Sequence, residues 1–526
     1  MGLFLGLDSS TQGLTALVVD TARGEVVHQD VLNYGAEFPE YGSPQGFLPH
    51  ADPLVRHADP RLWVAALERL LGRLRAAGLA ARLDGLSGSA QQHGTVYLTG
   101  SFPAAPDPGE SLAACVGRSL ARPTAPIWMD ASTAAECRQI EAALGGADEV
   151  RRRTGSAAVE RFAGPQIRRF AVTEPAAYER TGVIHLVSSF LASVLTGVNA
   201  PIDPGDGAGM NLLNLSTGAW DGDLVSATAP GLSGRLPGLC SAGAVCGPVA
   251  PWLVERFGLR PGTPVVAWSG DNPSSLIGVG GWEPGTMAIS LGTSDTCFAA
   301  MRAPRVDPEG CGHVFGNPAG GFMCLICFRN GSLAREHIRD LHGLTWRQFD
   351  GDCLAATPPG NGGNLMLPYV VPEITPRVLS PGLRRRGAAT FEAGGDAAGD
   401  VRAIVEAQAL SLRLHSQWIG EAPTALRLTG GASRSDGIGQ ILADVFQAEV
   451  ERLDVGNSAA LGAALRAAQA VEGLPWAALA ARFCAPVAGR RLHPVAANAA
   501  LYRDLLKRYA ALEASCRADE ASPPGR

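Results

Sequence analysis

The sequence predicts an α/β protein of two domains, and three observations predict it. The chain is 526 residues long, and at roughly 150 residues per domain that length exceeds one ordinary core. Strand-like segments alternate with helix-like ones through most of it, the pattern of mixed or parallel sheets whose ligands sit at strand ends. Two hairpins with similar turns stand about half a chain apart, "LFLGLDSSTQGLTALVVD" from Leu3 and "MAISLGTSDTCFAAMR" from Met287. They read as an internal duplication, with one hairpin heading each domain.

Taken in order, the first hairpin is an apolar strand, the polar turn "DSSTQG", and a second strand ending at Asp20; the turn "TARG" then leads to a third strand, "EVVHQDVL". "LDGLSGSA" is a strand that runs into the loop "QQHG". "TAAECRQIEAALGGA" and "YERTGVIHLVSSFLASVLTG" have helical spacing and end in glycine. "PVVAWSGDNPSSLIGVG", "ALRLTGGASRSDGIGQILADVFQ" and "EVERLDVGNSAALGAALRAAQA" each read as strand then helix. The domain boundary is expected near Trp282, giving domains 1–282 and 283–526. Three Pro-, Gly- and Ala-rich stretches, roughly 101–126, 303–320 and 377–400, read as surface insertions, and the tail after Ser515 as disordered.

Composition narrows the chemistry. With 46% hydrophobic and 18% charged residues and a net charge of -6, the chain is globular and lacks the basic field that nucleic-acid binding requires. It has no uncharged apolar run of about 20 residues, so no membrane span is expected. The N-terminus has no basic region ahead of "GLFLGLD", and a cytoplasmic protein is expected. The 11 cysteines are odd in number and mostly isolated, as expected of reduced thiols. Cys324 and Cys327 form a CxxC in a strand-like run with no second pair, which fits buried thiols better than a metal site. Lys507 is the only lysine in the chain, which excludes a Walker A loop and the strand lysine of protein kinases. Phosphates bound here are held by other means.

Both hairpin turns are rich in Gly, Ser and Thr, and such turns present backbone amides and hydroxyls to one point, as phosphate oxygens require. They are equally common as plain hairpin turns. Asp8 adds a carboxylate to the first turn, the usual hard ligand for the Mg²⁺ that accompanies ATP. Gly430 and Gly431 lie between a strand and a helix, where missing side chains let a ligand approach the backbone. The turn is not GxGxxG, which argues against a dinucleotide site. Asp271 has two readings: a helix N-cap, or a general base that takes the proton of an alcohol during phosphoryl transfer. Gln92, His93, Arg161, Trp128 and Asp130 lie on loops and suit a polyhydroxyl ligand, or are ordinary polar residues satisfied within the fold.

"DSSTQ", "SGSAQQHG", "ERFAGPQI", "PIDPGDGAGMNLL", "GDNPSSL", "SLGTSDT", "CFRNGSL" and "TGGAS" occur in this order from about residue 3 to 470. Together they resemble the FGGY family of carbohydrate kinases, within the actin/sugar-kinase superfamily. The resemblance implies two ribonuclease-H-like domains with a catalytic cleft between them, the sugar held mainly by the first and ATP by the second. It implies Asp271 as the catalytic base and Asp8 as a magnesium ligand. His93, Arg161, Asp271 and Asn272 match sugar-binding positions, with Gln92 beside them. Thr11 and Thr293 lie in the phosphate turns, and Trp346, Gly430 and Gly431 match nucleotide positions. The implied acceptor is a ketopentose, D-xylulose, with another sugar or polyol such as ribulose or gluconate as the alternative, Mg²⁺ and ATP as cofactors and a monomer or homodimer as the working form. A nucleotide switch of the actin or Hsp70 kind, with no small-molecule acceptor, is the alternative from another class. The sequence departs from the family pattern in three places: no arginine stands in the few residues after "WMD", Thr429 precedes only two glycines, and where a nucleotide contact is common Arg434, Ser435 or neither serves.

Overall fold

Leu3, Phe4, Leu5 and Leu7 are all buried, so the first strand must be covered on both faces, as a strand inside a parallel sheet is. In the computed structural model, β1 (Leu3–Ser9) pairs antiparallel with β2 (Gly13–Asp20), which pairs with the outer strand β3 (Glu25–Asn33). On its other side β1 runs parallel to β4 (Leu83–Ala90). Beyond β4 come β5 (Val245–Pro248), β6 (Pro264–Val266) and the short β7 (Ser269–Gly270), in the order β5-β6-β4-β1-β2-β3 with β7 also on β4. The structure describes residues 1–100, 102, 106, 107, 109–454 and 456–521.

Side chains alternate along β1. Leu3, Leu5 and Leu7 join a core with Leu62, Trp63, Leu67 and Leu70 of the helix Pro60–Ala76. Asp59 caps that helix by accepting from the Arg61 amide, and Pro60 occupies its first turn. Phe4 faces the other way, onto Ala460, Leu461 and Ala464 of the helix Ser458–Glu472. That helix reads "SAALGAALRAAQAVE" because its backbone touches its neighbours. A Cβ on Gly6 would lie 2.0 Å from the Ala460 carbonyl oxygen, and one on Gly462 would lie 1.8 Å from that of Ser274. Gly278 meets the Ser458 carbonyl in the same way, at 1.9 Å. Large residues here would separate the elements that carry Asp8 and Asp271.

The chain divides into two compact units. One comprises Met1–Trp282, Val314–Met323 and Val455–Ala485; the other comprises Glu283–His313, Cys324–Asp454 and Pro486–Arg526. The main break falls at Trp282, and the segment 455–485, expected in the second domain, packs with the first. Its reason is the glycine and alanine contact just described.

The second unit repeats the strand plan of the first. β8 (Thr286–Leu291) pairs antiparallel with β9 (Asp295–Met301) and parallel with β11 (Ala425–Thr429), with β10 (Phe322–Phe328) beyond β9 and β12 (Glu449–Arg452) beyond β11. The order β12-β11-β8-β9-β10 matches β6-β4-β1-β2-β3, each a hairpin whose first strand has a parallel neighbour on its other side.

Several local expectations are corrected. The segment from Tyr178 is not one helix: Val183–Leu186 is a buried strand paired with Thr95–Leu98, and the helix begins at Val187. Cross-strand pairing of β-branched residues overrides the helical spacing there. The tail past Ser515, expected to be disordered, continues the helix Ala499–Ala521, and residues 522–526 lie outside the described residues. Gly382–Arg386, inside an expected insertion, pairs with Leu365–Tyr369, and Val314 and Phe315 in another are buried. Part of the 101–126 stretch lies outside the described residues, but Leu112–Gly117 is a helix. No disulfide joins cysteines among the described residues, and no described helix is long and apolar enough to cross a membrane.

Candidate active site

Three neighbouring strand ends build the site of the first unit. Parallel pairing sets Asp8 beside Ser89 and Ser9 beside Ala90, and on the far side of β4 it sets Ser269 beside Ser89 and Gly270 beside Ala90. Ser10, Gln91 and Asp271 therefore leave the sheet along one edge, the carboxyl edge where α/β sheets bind ligands. Ser89 Oγ donates to Asp8 Oδ1 at 2.7 Å, a partner that the sequence alone did not single out.

Asp271 opens the helix Asp271–Gly278, and the N-cap is Gly270, so the capping reading of the aspartate does not hold. Its Oδ1 instead accepts from the Asn272 amide at 2.8 Å and from Asn272 Nδ2 at 3.0 Å. Withdrawal from water, and then the charge of Asp8, push the Asp271 carboxyl up to about 7. Burial pushes Asp8 up to about 6. These are two carboxylates whose ionised forms the protein strains to keep, and a hard cation beside them would relieve both. Among the described residues no three His, Cys, Asp or Glu side chains converge as a metal cage. Mg²⁺ needs none, because it keeps several waters and is commonly held by one or two carboxylates plus phosphate oxygens.

His93 turns the chain with φ 72°, a left-handed conformation uncommon for a residue with a Cβ. Its ring stacks on Phe162 with centroids 4.2 Å apart, and Nδ1 lies 2.9 Å from the Gly209 carbonyl oxygen. A carbonyl only accepts, so Nδ1 carries the proton and Nε2 is left as an acceptor. Burial, then the positive charge of Arg161, push the ring down to about 3, so it is neutral. The Arg161 guanidinium lies 5.7 Å from the Phe162 ring centre. Gln92 accepts from Asn272 Nδ2 at 2.9 Å. The structure thus gathers Gln92, His93, Arg161, Asp271 and Asn272 in one unit with Asp8.

Thr11 lies in the first turn, and its Oγ accepts from Trp128 Nε1 at 2.8 Å. Asp130 is fully buried and accepts from the amides of Arg56 and Ser132 and from Gln166 Nε2. It folds the loop, which fits the second of its two readings, a polar residue satisfied within the fold.

In the second unit, a cavity of about 520 Å³ is lined by Gly292, Thr293, Ser332, Arg335, Trp346, Phe349, Gly431, Arg434 and Ser435, among others. Thr293, Trp346 and Gly431 were expected here. Gly430 lies just behind, at φ 85°, where a Cβ would sit 2.5 Å from the Leu291 carbonyl oxygen, so only glycine lets this turn approach β8. Trp346 is 43% exposed and meets the Phe349 ring edge-on, with centroids 5.4 Å apart. Ser435 caps the helix Asp436–Phe446 and donates to Asp350 Oδ1 at 3.0 Å; Arg434 is exposed at the cavity. Sequence reasoning missed Arg335. It is buried and bidentate on Asp295 at 3.1 and 3.2 Å, with a third bond to Gln408 at 2.8 Å. This holds the 292–294 turn from below, and only the arginine's long-range pairing would have revealed it.

Comparison with known proteins divides the chain at the same main break, near Trp282. Residues 122–278 match the N-terminal domain of the FGGY family of carbohydrate kinases, and residues 287–471 match its C-terminal domain. The chain is 39% identical to the xylulose kinase of Mus musculus over 97% of its own length and 93% of that protein. It is also 39% identical to xylulose kinase 2 of Arabidopsis thaliana, over 89% and 87%. The crystal structure of xylulose kinase from Rhodospirillum rubrum superimposes with a TM-score of 0.82 over 98% of this chain and 99% of that one, at 21% identity, a likeness of fold.

Proposed function

The chain belongs to the FGGY family of carbohydrate kinases, and on that premise we propose that it transfers the γ-phosphoryl group of ATP to a ketopentose, D-xylulose, ahead of another sugar or polyol such as ribulose or gluconate. One observation carries this reading: the Asp271 carboxylate, raised into the range of a general base at neutral pH, stands at one sheet edge with Asp8 and the neutral His93. A nucleotide switch without an acceptor has no use for that combination.

In this mechanism Asp271 orients the terminal hydroxyl of the sugar and accepts its proton as the oxygen attacks phosphorus; the bond from the γ-phosphorus to the bridging oxygen breaks and ADP leaves. Magnesium, when bound with ATP, neutralises the developing phosphate charge, and Asp8 is the residue to hold it. His93 Nε2 accepts from one sugar hydroxyl, Arg161 donates to a sugar oxygen, and Asn272, fixed by Gln92, does either. In the second unit the Trp346–Phe349 pair offers an aromatic face for a base, and Thr293, Gly430 and Gly431 let phosphates close on backbone amides. With Ser435 committed to its cap, Arg434 is the side chain left to contact the nucleotide.

ADP release measured over ketopentoses, ketohexoses, aldonates and glycerol tests the assignment. D-Xylulose is expected to give the highest kcat/KM, and ADP release that no sugar stimulates would refute the reading. The pH profile follows from Asp271. A carboxyl raised to about 7 is protonated and idle below that pH and ionised above it. kcat/KM is therefore expected to fall as the pH drops through about 7, approaching ~10-fold per unit on the acid side. A profile flat from pH 5 to 8 would remove Asp271 from the role.

A further inference from the structure

The motif "PIDPGDGAGMNLL" is not used by the mechanism above, yet its residues hold two of the sugar-side groups in it, His93 and Gln92. We propose that the buried turn 204–210 is a positioning element for the sugar site, anchored by Asp206. The inference rests on the sugar-kinase reading. The Gly209 carbonyl receives His93 Nδ1 at 2.9 Å and so sets both the ring's tautomer and its direction. The Gly205 carbonyl receives Gln92 Nε2 at 3.5 Å, while Gln92 Oε1 holds Asn272 Nδ2 at 2.9 Å. One turn thereby fixes His93 directly and Asn272 through Gln92.

The contacts are too close for side chains on the turn. A Cβ on Gly209 would lie 2.7 Å from His93 Nδ1, and one on Gly205 would lie 2.5 Å from Ser269 Oγ and 3.1 Å from Pro273 Cβ. The glycines of "GDGAG" are spacing elements, and the residue between Gly205 and Gly207 supplies the hold. Asp206 is 1% exposed. Its amide donates to Asp203 Oδ1 at 3.0 Å, and its Oδ2 accepts from Ser188 Oγ at 2.5 Å, tying the turn to the helix Val187–Thr196. Asp203 in turn lies 3.7 Å from the fully buried Arg466, which also donates to the Ala267 carbonyl at 2.7 Å, just before β7 and Asp271. Burial pushes the Asp206 carboxyl well above its usual range, and asparagine reproduces its shape and keeps an acceptor oxygen for Ser188 Oγ.

Asp206→Ala, Asp206→Asn and Ser188→Ala, each in the full chain, separate positioning from general structure. KM is read for the ketose at saturating ATP and for ATP at saturating ketose, with ketose affinity measured by calorimetry. Asp206→Ala is expected to raise the ketose KM and Kd by about 10-fold or more and to lower kcat, with the ATP KM changed by less than about two-fold. Asp206→Asn is expected to stay within about three-fold of the parent on all four, and Ser188→Ala to fall between. Ketose parameters unchanged in Asp206→Ala, or an ATP KM that rises in step with the ketose KM, would overturn the proposal. Should Asp206→Ala fail to fold, Ser188→Ala with an unaltered ketose KM overturns it as well. A parent chain that no ketose stimulates refutes the kinase reading; an active parent with an indifferent Asp206→Ala refutes this inference alone.

Discussion

Asp271→Asn is expected to lower kcat by about 10³-fold, within the ~10² to 10⁴ that a positioned general base contributes, while nucleotide affinity stays at the parent value. Asparagine keeps the shape and the acceptor oxygen that receives the Asn272 amide, so the helix start is preserved and the proton acceptor alone is lost. At about 1.4 kcal/mol per factor of ten, the loss corresponds to roughly 4 kcal/mol of transition-state stabilisation. Stability should move the other way. The Asp271 carboxyl is raised from 3.8 to about 7 in the folded chain. The native state then binds the proton more tightly than the unfolded one, and stability falls as the pH rises from about 4 through about 7. The asparagine variant lacks that loss, so its thermal midpoint above pH 7 should equal or exceed the parent's. Stopped turnover with a lowered midpoint would instead indicate a disturbed fold.

The second large effect is expected at Gly462. Replacing it by valine places a Cβ 1.8 Å from the Ser274 carbonyl oxygen and 3.0 Å from the Gly278 amide, against backbone that no rotamer change can move. The helices Asp271–Gly278 and Ser458–Glu472 must separate, which costs at least the ~1–3 kcal/mol of ordinary overpacking, and more where backbone meets backbone. Asp271 lies at the N-terminus of the displaced helix, and alanine carries the same Cβ, so Gly462→Ala should lose both kcat and stability, with Gly462→Val losing more stability. Gly72 is the control. It lies mid-helix in Pro60–Ala76 with nothing within 4 Å of a Cβ, and Gly72→Ala should stabilise by about 0.5–1 kcal/mol through helix propensity. Denaturant unfolding of the three variants checks the order; a Gly462→Val chain as stable as the parent would mean the helices are not in backbone contact.

Local signals made much of this legible. β1, β2 and the second hairpin follow from apolar runs broken by Gly, Ser and Thr turns, and each strand-to-helix unit is marked by a glycine or proline at its junction. Asp8 and Asp271 stood out because each is a carboxylate at the end of a buried strand. Where the local signal misled, a distant partner was the cause. Val183–Leu186 has helical spacing but pairs with Thr95–Leu98, and Asp130 looks like a loop ligand until Gln166 and the Arg56 amide enclose it.

The sequence by itself determined the α/β class, the two repeated hairpins, the absence of a lysine-based phosphate loop, and the residue types from which a sugar kinase is built. Those are properties of composition and short-range spacing, which act within a few residues. Tertiary structure alone decided that Asp8, Ser89 and Asp271 share one edge, because strand register across hundreds of residues is set by burial of both sheet faces. It also decided that the helix Ser458–Glu472 belongs with the first unit, since only backbone-to-backbone contact gives its glycine and alanines a purpose. The quiet "GDGAG" turn acquired a role in the same way, through a histidine, a glutamine and a serine that no spacing in the chain connects to it.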